Sequence, residues 1–394
     1  MLKKPELVFI PLPEMGHLVP TVQVAKLLVD LNPNLFITVL NIKPPYDSKI
    51  TAFIDSLTAD ITTATTSHLK FIDLPQSDQD DASKFMSSLV QTQGPFVKEA
   101  VANIVEHSNS VPDSPRLAGF VLDMFLTPFL ELANEFGVPS YSFYTSGASF
   151  LGFLFDVRVL HDEQNVDFAE LQGSDIEFNF STYVNPVSIK LFPTGMLKPE
   201  GFTLFLDITE GLRQMKGIMV NTFLELELHA INFLSRGKLQ IPPIYPFRCG
   251  SSGRDRLRAR AEWTPVLVVL TATNEASKGM MGRPADYENV AEALPEGFLD
   301  RTVGIGKVIG WAPQVAILGH PATGGFVSHC GWNSTLESIW FGVPMAAWPL
   351  KADQHMNSLT MVRELGLAVE IKTDYSINDG EIEIVKAKKI EKGI

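Results

Sequence analysis

One stretch of this chain gathers the side-chain types needed to hold a nucleotide-diphosphate sugar without a metal ion. It runs from Trp311 to Gln354, WAPQVAILGHPATGGFVSHCGWNSTLESIWFGVPMAAWPLKADQ. A lone Trp is more often core. Trp311 followed by Ala312, Pro313 and Gln314 at the end of a strand pattern is better explained by a flat ligand, with indole for the ring and an amide for its edge. His329, Gly331, Asn333 and Ser334 fall where an apolar strand pattern turns into a helical one. Backbone N–H groups at such a helix start, helped by the helix dipole, suit a diphosphate. His329 and Ser334 add side-chain donors, and fixed donors stabilise charge that builds on a leaving group. Glu337, one turn into the helix, is placed to take two ribose hydroxyls, as the acidic residue of dinucleotide folds does; the bland alternative is a solvated helix glutamate. Asp353 and Gln354 form an acid–amide pair suited to sugar hydroxyls.

A second group lies in the first part of the chain. His17 follows a strand pattern and Gly16, just before a helical pattern. In an open α/β sheet ligands sit at the carboxyl ends of strands, so His17 either faces a ligand or caps its helix. Asp123 ends the strand GFVLDMF and reads either as a partner for such a histidine or as a cap of the next helix. Thr145, in YTSGAS, ends the following strand, and an ordinary N-cap is an equal alternative. Phe125, Phe143, Phe150 and Phe153 offer apolar walls near these positions, and each reads equally well as core.

The elements that must position these residues alternate in strand and helix, which argues for parallel sheets. Strand patterns cover residues 7–11, 35–41, 69–74, 117–125, 140–144 and 217–221. Helical patterns cover 19–31, 84–106 (interrupted near Gly94 and Pro95), 128–136, 149–160 and 224–234. Residues 241–247, IPPIYPF, read as an extended linker because of their three prolines. Beyond it, strands at 307–309, 325–328, 344–348 and 368–371 alternate with helices at 313–318, 334–340 and 354–365. Two Rossmann-like domains facing one cleft are the expected architecture.

Composition narrows the function. The chain has 394 residues, a formal net charge of −13 and a pI near 5.1, which argues against nucleic acid as a partner. Its two cysteines, Cys249 and Cys330, make neither a disulfide framework nor a zinc cluster. The first twenty residues are broken by Pro11 and Pro13 and lack the uninterrupted core of a signal peptide. No stretch is long enough for a membrane span, so a soluble cytoplasmic protein is expected. Asp78-Gln79-Asp80 supplies the D-x-D of a metal-dependent glycosyltransferase but reads far better as a solvated helix-start loop. No G-x-G-x-x-G opens the first βα unit, which weakens a nicotinamide oxidoreductase.

The run from Trp311 to Gln354 spans 44 residues and closely resembles the signature box of plant family-one UDP-glycosyltransferases. The N-terminal PLPEMGHLVP resembles the first strand–loop–helix of the same family. The resemblance implies a GT-B fold and inverting, metal-independent glucosyl transfer from UDP-glucose to a hydrophobic small molecule such as a phenolic, flavonoid or terpenoid. It implies His17 as general base, Asp123 as its partner and Thr145 near the sugar. It also implies Trp311 and Gln314 on the uracil, and His329, Gly331, Asn333 and Ser334 on the diphosphate. Glu337 then holds the ribose, and Asp353 and Gln354 the sugar. Gln354 goes with glucose in the family, and Trp332 stands where an arginine would suggest glucuronate. UDP-glucose is then a co-substrate, with no cofactor or metal, and a cytoplasmic monomer is expected.

Three departures from the family pattern stand out. Glu14 replaces a usual glycine, and a carboxylate there threatens the loop's backbone angles. Lys351 replaces an aromatic or small residue. Residues 248–282 lack the small-residue loop that wraps the donor phosphates, and several tens of residues are missing. Permitted codons for residues 262–273, read one nucleotide later, spell Ser-Gly-His-Arg-Phe-Leu-Trp-Ser-Leu-Arg-Arg, which resembles the family's helix-to-strand segment. A lost or mis-spliced exon, with the frame shifted until about Gly282, is the expected cause, and the cDNA sequence tests it. The expected organisation is an acceptor-binding domain over 1–240, a linker and aberrant segment over 241–282, and an incomplete donor-binding domain over 283–394. Reduced activity is expected, and a non-catalytic relic is the alternative.

Overall fold

The computed structural model describes residues 3–61, 68–76, 82–237, 239, 241–246, 266–269, 272–273, 284–285, 294, 296–310 and 312–372. The chain divides into two compact units, Met1–Ile189 with Met196–Gly250, and Lys190–Gly195 with Ser251–Ile394.

The first unit is built on β1 (Pro5–Ile10), β2 (Phe36–Asn41), β3 (Leu69–Asp73), β4 (Arg116–Asp123), β5 (Ser140–Tyr144), β6 (Gly217–Val220) and β7 (Ile244–Pro246). They form one sheet in the order β3-β2-β1-β4-β5-β6-β7, with every neighbouring pair parallel. Parallel strands are covered on both faces and so read as apolar runs. Phe9, Val39, Val121 and Phe143 from four neighbouring strands meet in one core cluster. The helices between the strands are α1 (Met15–Leu31), α2 (Ser48–Ile61), α3 (Ala82–Ser110), α4 (Leu130–Glu135), α5 (Ala148–Gln164), α6 (Pro199–Arg213) and α7 (Leu228–Leu234). The strand order reverses between β1 and β4, and such a switch point opens a crevice at the strands' carboxyl ends.

Three local expectations change. The helical pattern after β1 was expected over residues 19–31. The helix instead begins at Met15 and carries Pro20 inside it, which places His17 in its first turn. Helix α3 runs unbroken for 29 residues through Gly94 and Pro95. The segment read as a linker contributes β7, which pairs with β6. Its prolines are tolerated because β7 is last in the sheet, where a missing N–H need not face a partner.

In the second unit, β8 (Val266–Val269) pairs parallel with β9 (Gly306–Ile309). A separate parallel sheet has the order β10-β11-β12, formed by Phe326–Ser328, Met345–Ala347 and Ala368–Glu370. Helices α8 (Gln314–Leu318), α9 (Trp332–Phe341) and α10 (Gln354–Leu359) follow β9, β10 and β11. This is the βα alternation of a Rossmann-like unit. Its core cluster joins Cys330, Met345, Ala347 and Met361. Among the described residues no helix is long and apolar enough to cross a membrane.

Candidate active site

In the first unit the switch point brings three of the expected residues together. His17 stands in the first turn of α1 after β1, Asp123 is the last residue of β4, and Thr145 directly follows β5. Because β1, β4 and β5 are consecutive in the sheet, their carboxyl ends deliver these side chains to one spot. His17 Nδ1 lies 2.8 Å from Asp123 Oδ2 and 3.0 Å from Thr145 Oγ1. Asp123 is 2 % exposed, and its Oδ1 accepts the backbone N–H of Phe125 at 3.0 Å. A buried carboxylate fixed at one oxygen and facing imidazole at the other selects the tautomer protonated on Nδ1, which keeps the lone pair on Nε2. His17 is not the cap of its helix. The N-cap is Glu14, with φ −131° and ψ 135°. That is extended backbone open to any residue, so the departure from glycine costs the loop nothing in conformation.

The four phenylalanines separate. Phe125 is half-buried and meets the His17 ring edge-on at 5.5 Å between centroids. Phe143 has no exposed surface and belongs to the sheet core with Phe9 and Val39. It supports the strands rather than forming an open wall. Phe150 and Phe153 are also buried and stack at 5.5 Å on α5.

In the second unit the donor-type residues cluster through short-range contacts. Gln314 Nε2 donates to Ser334 Oγ at 2.9 Å and to Glu337 Oε2 at 2.7 Å. Burial raises the Glu337 pKa, and the Gln314 hydrogen bond partly offsets it. Gly331 caps α9 with φ −59° and ψ 141°. A Cβ there would stand 2.5 Å from His329 Nε2, so glycine serves for space, not for backbone freedom. The left-handed residue of that turn is Cys330, at φ 62°. Ala352 repeats this before Asp353, at φ 54°. Sparsely populated angles at non-glycine residues concentrate at functional turns, and here they flank the two helix starts that carry the donor-type side chains. Burial pushes the Cys330 thiol up to about 11, which makes it an inert core residue.

Gln354 is buried, and its Oε1 accepts from the backbone N–H groups of Leu350 and Lys351, both at 2.9 Å. It shapes the loop that presents Lys351. Asp353 Oδ2 accepts from Asn357 Nδ2 at 3.0 Å, and the same amide reaches the Cys330 carbonyl at 3.0 Å. Asn357 therefore ties the two βα turns together, and sequence reasoning missed it although it lies four residues, one helical turn, after Asp353. Ala312 and Trp332 are buried, and Asn333 is half-buried. Trp311, the Asp78-Gln79-Asp80 run, Cys249 and most of residues 248–282 lie outside the described residues. Among the described residues, no group of three or more His, Cys, Asp or Glu could hold a metal ion.

The family model for UDP-glucoronosyl and UDP-glucosyl transferase matches residues 290–380. A strawberry protein (Fragaria ananassa), UDP-glucose flavonoid 3-O-glucosyltransferase 6, is 43% identical and aligns with 100% of this chain and 91% of its own. The chain belongs to the plant family-one UDP-glycosyltransferases. Anthocyanidin 3-O-glucosyltransferase 1 of Manihot esculenta is 45% identical over 96% of this UDP-glycosyltransferase and 90% of its own length. Among solved structures, a transferase from Siraitia grosvenorii in complex with UDP superposes with TM-score 0.78 at 36% identity, covering 99% of this chain and 90% of that one. A Medicago truncatula relative complexed with UDP-glucose gives 0.79 at 31% identity, covering 99% and 89%. The fold is GT-B. The strawberry alignment runs over 442 residues against 394 in this UDP-glycosyltransferase, so about 48 aligned positions of the relative have no counterpart here.

Proposed function

We propose that this UDP-glycosyltransferase moves glucose from UDP-glucose to a hydroxyl of a hydrophobic small molecule of the phenolic, flavonoid or terpenoid class, with inversion at the anomeric carbon. The observation that carries this is the imidazole of His17, held through Nδ1 by the buried Asp123 carboxylate at 2.8 Å. Nε2 takes the acceptor's hydroxyl proton. The oxygen then forms its bond to the anomeric carbon from the side opposite UDP, and the bond to the departing diphosphate breaks. Asp123 stabilises the imidazolium as it forms. Phe125, edge-on to His17, is the acceptor wall, with Phe150 behind it. Thr145 attends the sugar as well as the imidazole.

In the second unit Trp311 and Ala312, with Gln314, receive the uracil, and Glu337 the ribose. The start of α9, with His329, Gly331, Asn333 and Ser334, receives the diphosphate. Asp353 and Gln354 hold glucose, and Trp332 leaves no cation for a glucuronate. The domain scheme is an acceptor-binding part over 1–240, a linker and aberrant segment over 241–282 and a donor-binding part over 283–394. The enzyme works as a cytoplasmic monomer without metal or other cofactor, so excess chelator leaves its turnover unchanged.

A second reading has its own support. The absent aligned positions, with the unfamiliar sequence of residues 248–282, favour a relic that binds UDP weakly and turns nothing over. One experiment separates the two. UDP release from UDP-glucose is measured with a panel of phenolics, beside calorimetry with UDP, for the chain as it stands and for a variant carrying the family's segment in place of residues 248–282. Turnover in both supports the enzyme, and turnover in the restored variant alone supports the relic. If neither shows turnover, the glucosyl-transfer assignment fails.

A further inference from the structure

The turn that carries Thr145 is held by groups from a distant part of the chain. Helix α5 starts after Gly147, whose side makes no capping hydrogen bond. The two leading N–H groups of the helix are nevertheless satisfied. Ala148 N donates to Glu227 Oε2 and Ser149 N to Glu227 Oε1, each at 2.8 Å. Glu227 is 4 % exposed and lies in the loop between β6 and α7. From the start of the same loop, Asn221 N donates to the Tyr144 carbonyl at 2.9 Å and Asn221 Nδ2 to the Thr145 carbonyl at 3.3 Å. Four hydrogen bonds from residues 221 and 227 therefore fall on residues 144, 145, 148 and 149.

A local Ser, Asp or Asn at position 147 would cap the helix just as well. A cap from a local residue fixes only the helix to itself. A cap from the β6–α7 loop fixes the turn to the neighbouring strand end, and with it the hydroxyl of Thr145, 3.0 Å from His17 Nδ1. Burying a carboxylate is costly unless its oxygens are matched by donors, and here both oxygens are spent on this turn.

We propose that Glu227 and Asn221 are positioning residues for His17, acting through Thr145. This rests on His17 and Asp123 forming the catalytic couple, and it adds that the Nδ1 proton is shared with a threonine aligned from the β6–α7 loop. Glu227→Gln keeps the shape but turns an N–H donor toward one of the helix amides. Glu227→Asp keeps the charge and partly restores the contact.

The test reads the 15N signal of His17 Nδ1 in the full-length labelled chain, with the signal assigned by its loss in His17→Gln; this readout does not need turnover. Glu227→Gln and Asn221→Ala are expected to move the signal in the same direction as Thr145→Ala. Thr145→Ala combined with Glu227→Gln is expected to move it no further than Thr145→Ala alone, and Glu227→Asp to return it part of the way. Asn221→Ala keeps the test readable if Glu227→Gln does not fold. A His17 signal unchanged by both loop variants, or displacements that add to that of Thr145→Ala, would overturn the positioning role. Asp123→Asn is the separate control. If it leaves the signal in place, the His17–Asp123 couple itself is wrong, whatever the loop variants do.

Discussion

The two units hold their functional side chains by different means. In the first, the contacts join distant parts of the chain: His17 to Asp123 across 106 residues, His17 to Thr145 across 128, Ala148 to Glu227 across 79. They exist only because seven strands lie in one order. In the second, Gln314 meets Ser334 and Glu337 across 20 and 23 residues, and Asn357 meets the Cys330 carbonyl across 27. These contacts lie in a unit whose described strands fall into two pairs and a triplet. Contacts between successive βα turns need only neighbouring strands in place, whereas contacts among three strand ends need the order of the whole sheet.

The largest effect that tests this contrast is the removal of the His17 ring. In the segment-restored protein, His17→Ala should lower kcat by about 10³-fold, in the range of general-base removal, and leave the UDP dissociation constant where it was. Single-turnover kinetics and calorimetry read the two halves separately. A matching loss of UDP affinity would show that the base site and the donor cradle are not independent.

Restoring the segment should act on the other half. On the proposed reading that the family's segment supplies phosphate-facing amides, UDP is expected to bind roughly tenfold tighter, about 1.4 kcal/mol. Hydrogen exchange should slow in β10, β11 and β12 and stay unchanged in β1, β4 and β5. Slowing in both units alike would mean that the first unit also depends on the missing residues.

The same contrast explains what the sequence made legible. The elements of the run from Trp311 to Gln354 were legible because its strand–turn–helix pattern is continuous and the contacts among its side chains join near neighbours in the chain. His17 and Asp123 were legible through the strand ends they occupy. Glu227 and Asn221 were not, since nothing in NTFLELELHA marks which glutamate reaches back 79 residues to an amide pair. The β7 strand was hidden by prolines that argue against a strand unless its edge position is known. Phe143 read equally as pocket wall or core, because burial on a central strand cannot be told from exposure at a strand end without the neighbours' register, and the structure places it in the core.

Acid should expose the second unit's weakness. His355 is 5 % exposed, and burial pushes its pKa down to about 4. Below the ordinary histidine value of about 6.5 the unfolded chain binds a proton that the folded chain refuses. Stability is therefore full above pH 6.5 and is lost as pH falls toward 4, by about 2 kcal/mol at pH 5. Urea unfolding at pH 7.5, 6 and 5 should show this slope, and His355→Gln should flatten it. An unchanged slope in that variant would place the acid sensitivity elsewhere.

The smallest effect is expected at Glu14, and there a null result is informative. In this chain the position has φ −131°, so Glu14→Gly gains no relief from strain and only loosens the unfolded chain, at a cost of about 0.5–1 kcal/mol. Turnover in the segment-restored protein should stay within about twofold, since the backbone N–H of His17 bonds the residue-14 carbonyl, at 2.9 Å, whichever side chain stands there. A rise of tenfold or more would show that the carboxylate itself, by charge or bulk, obstructs the approach to His17. The approach to His17 would then be restricted by a residue of its own unit, and the contrast between the two units would no longer hold.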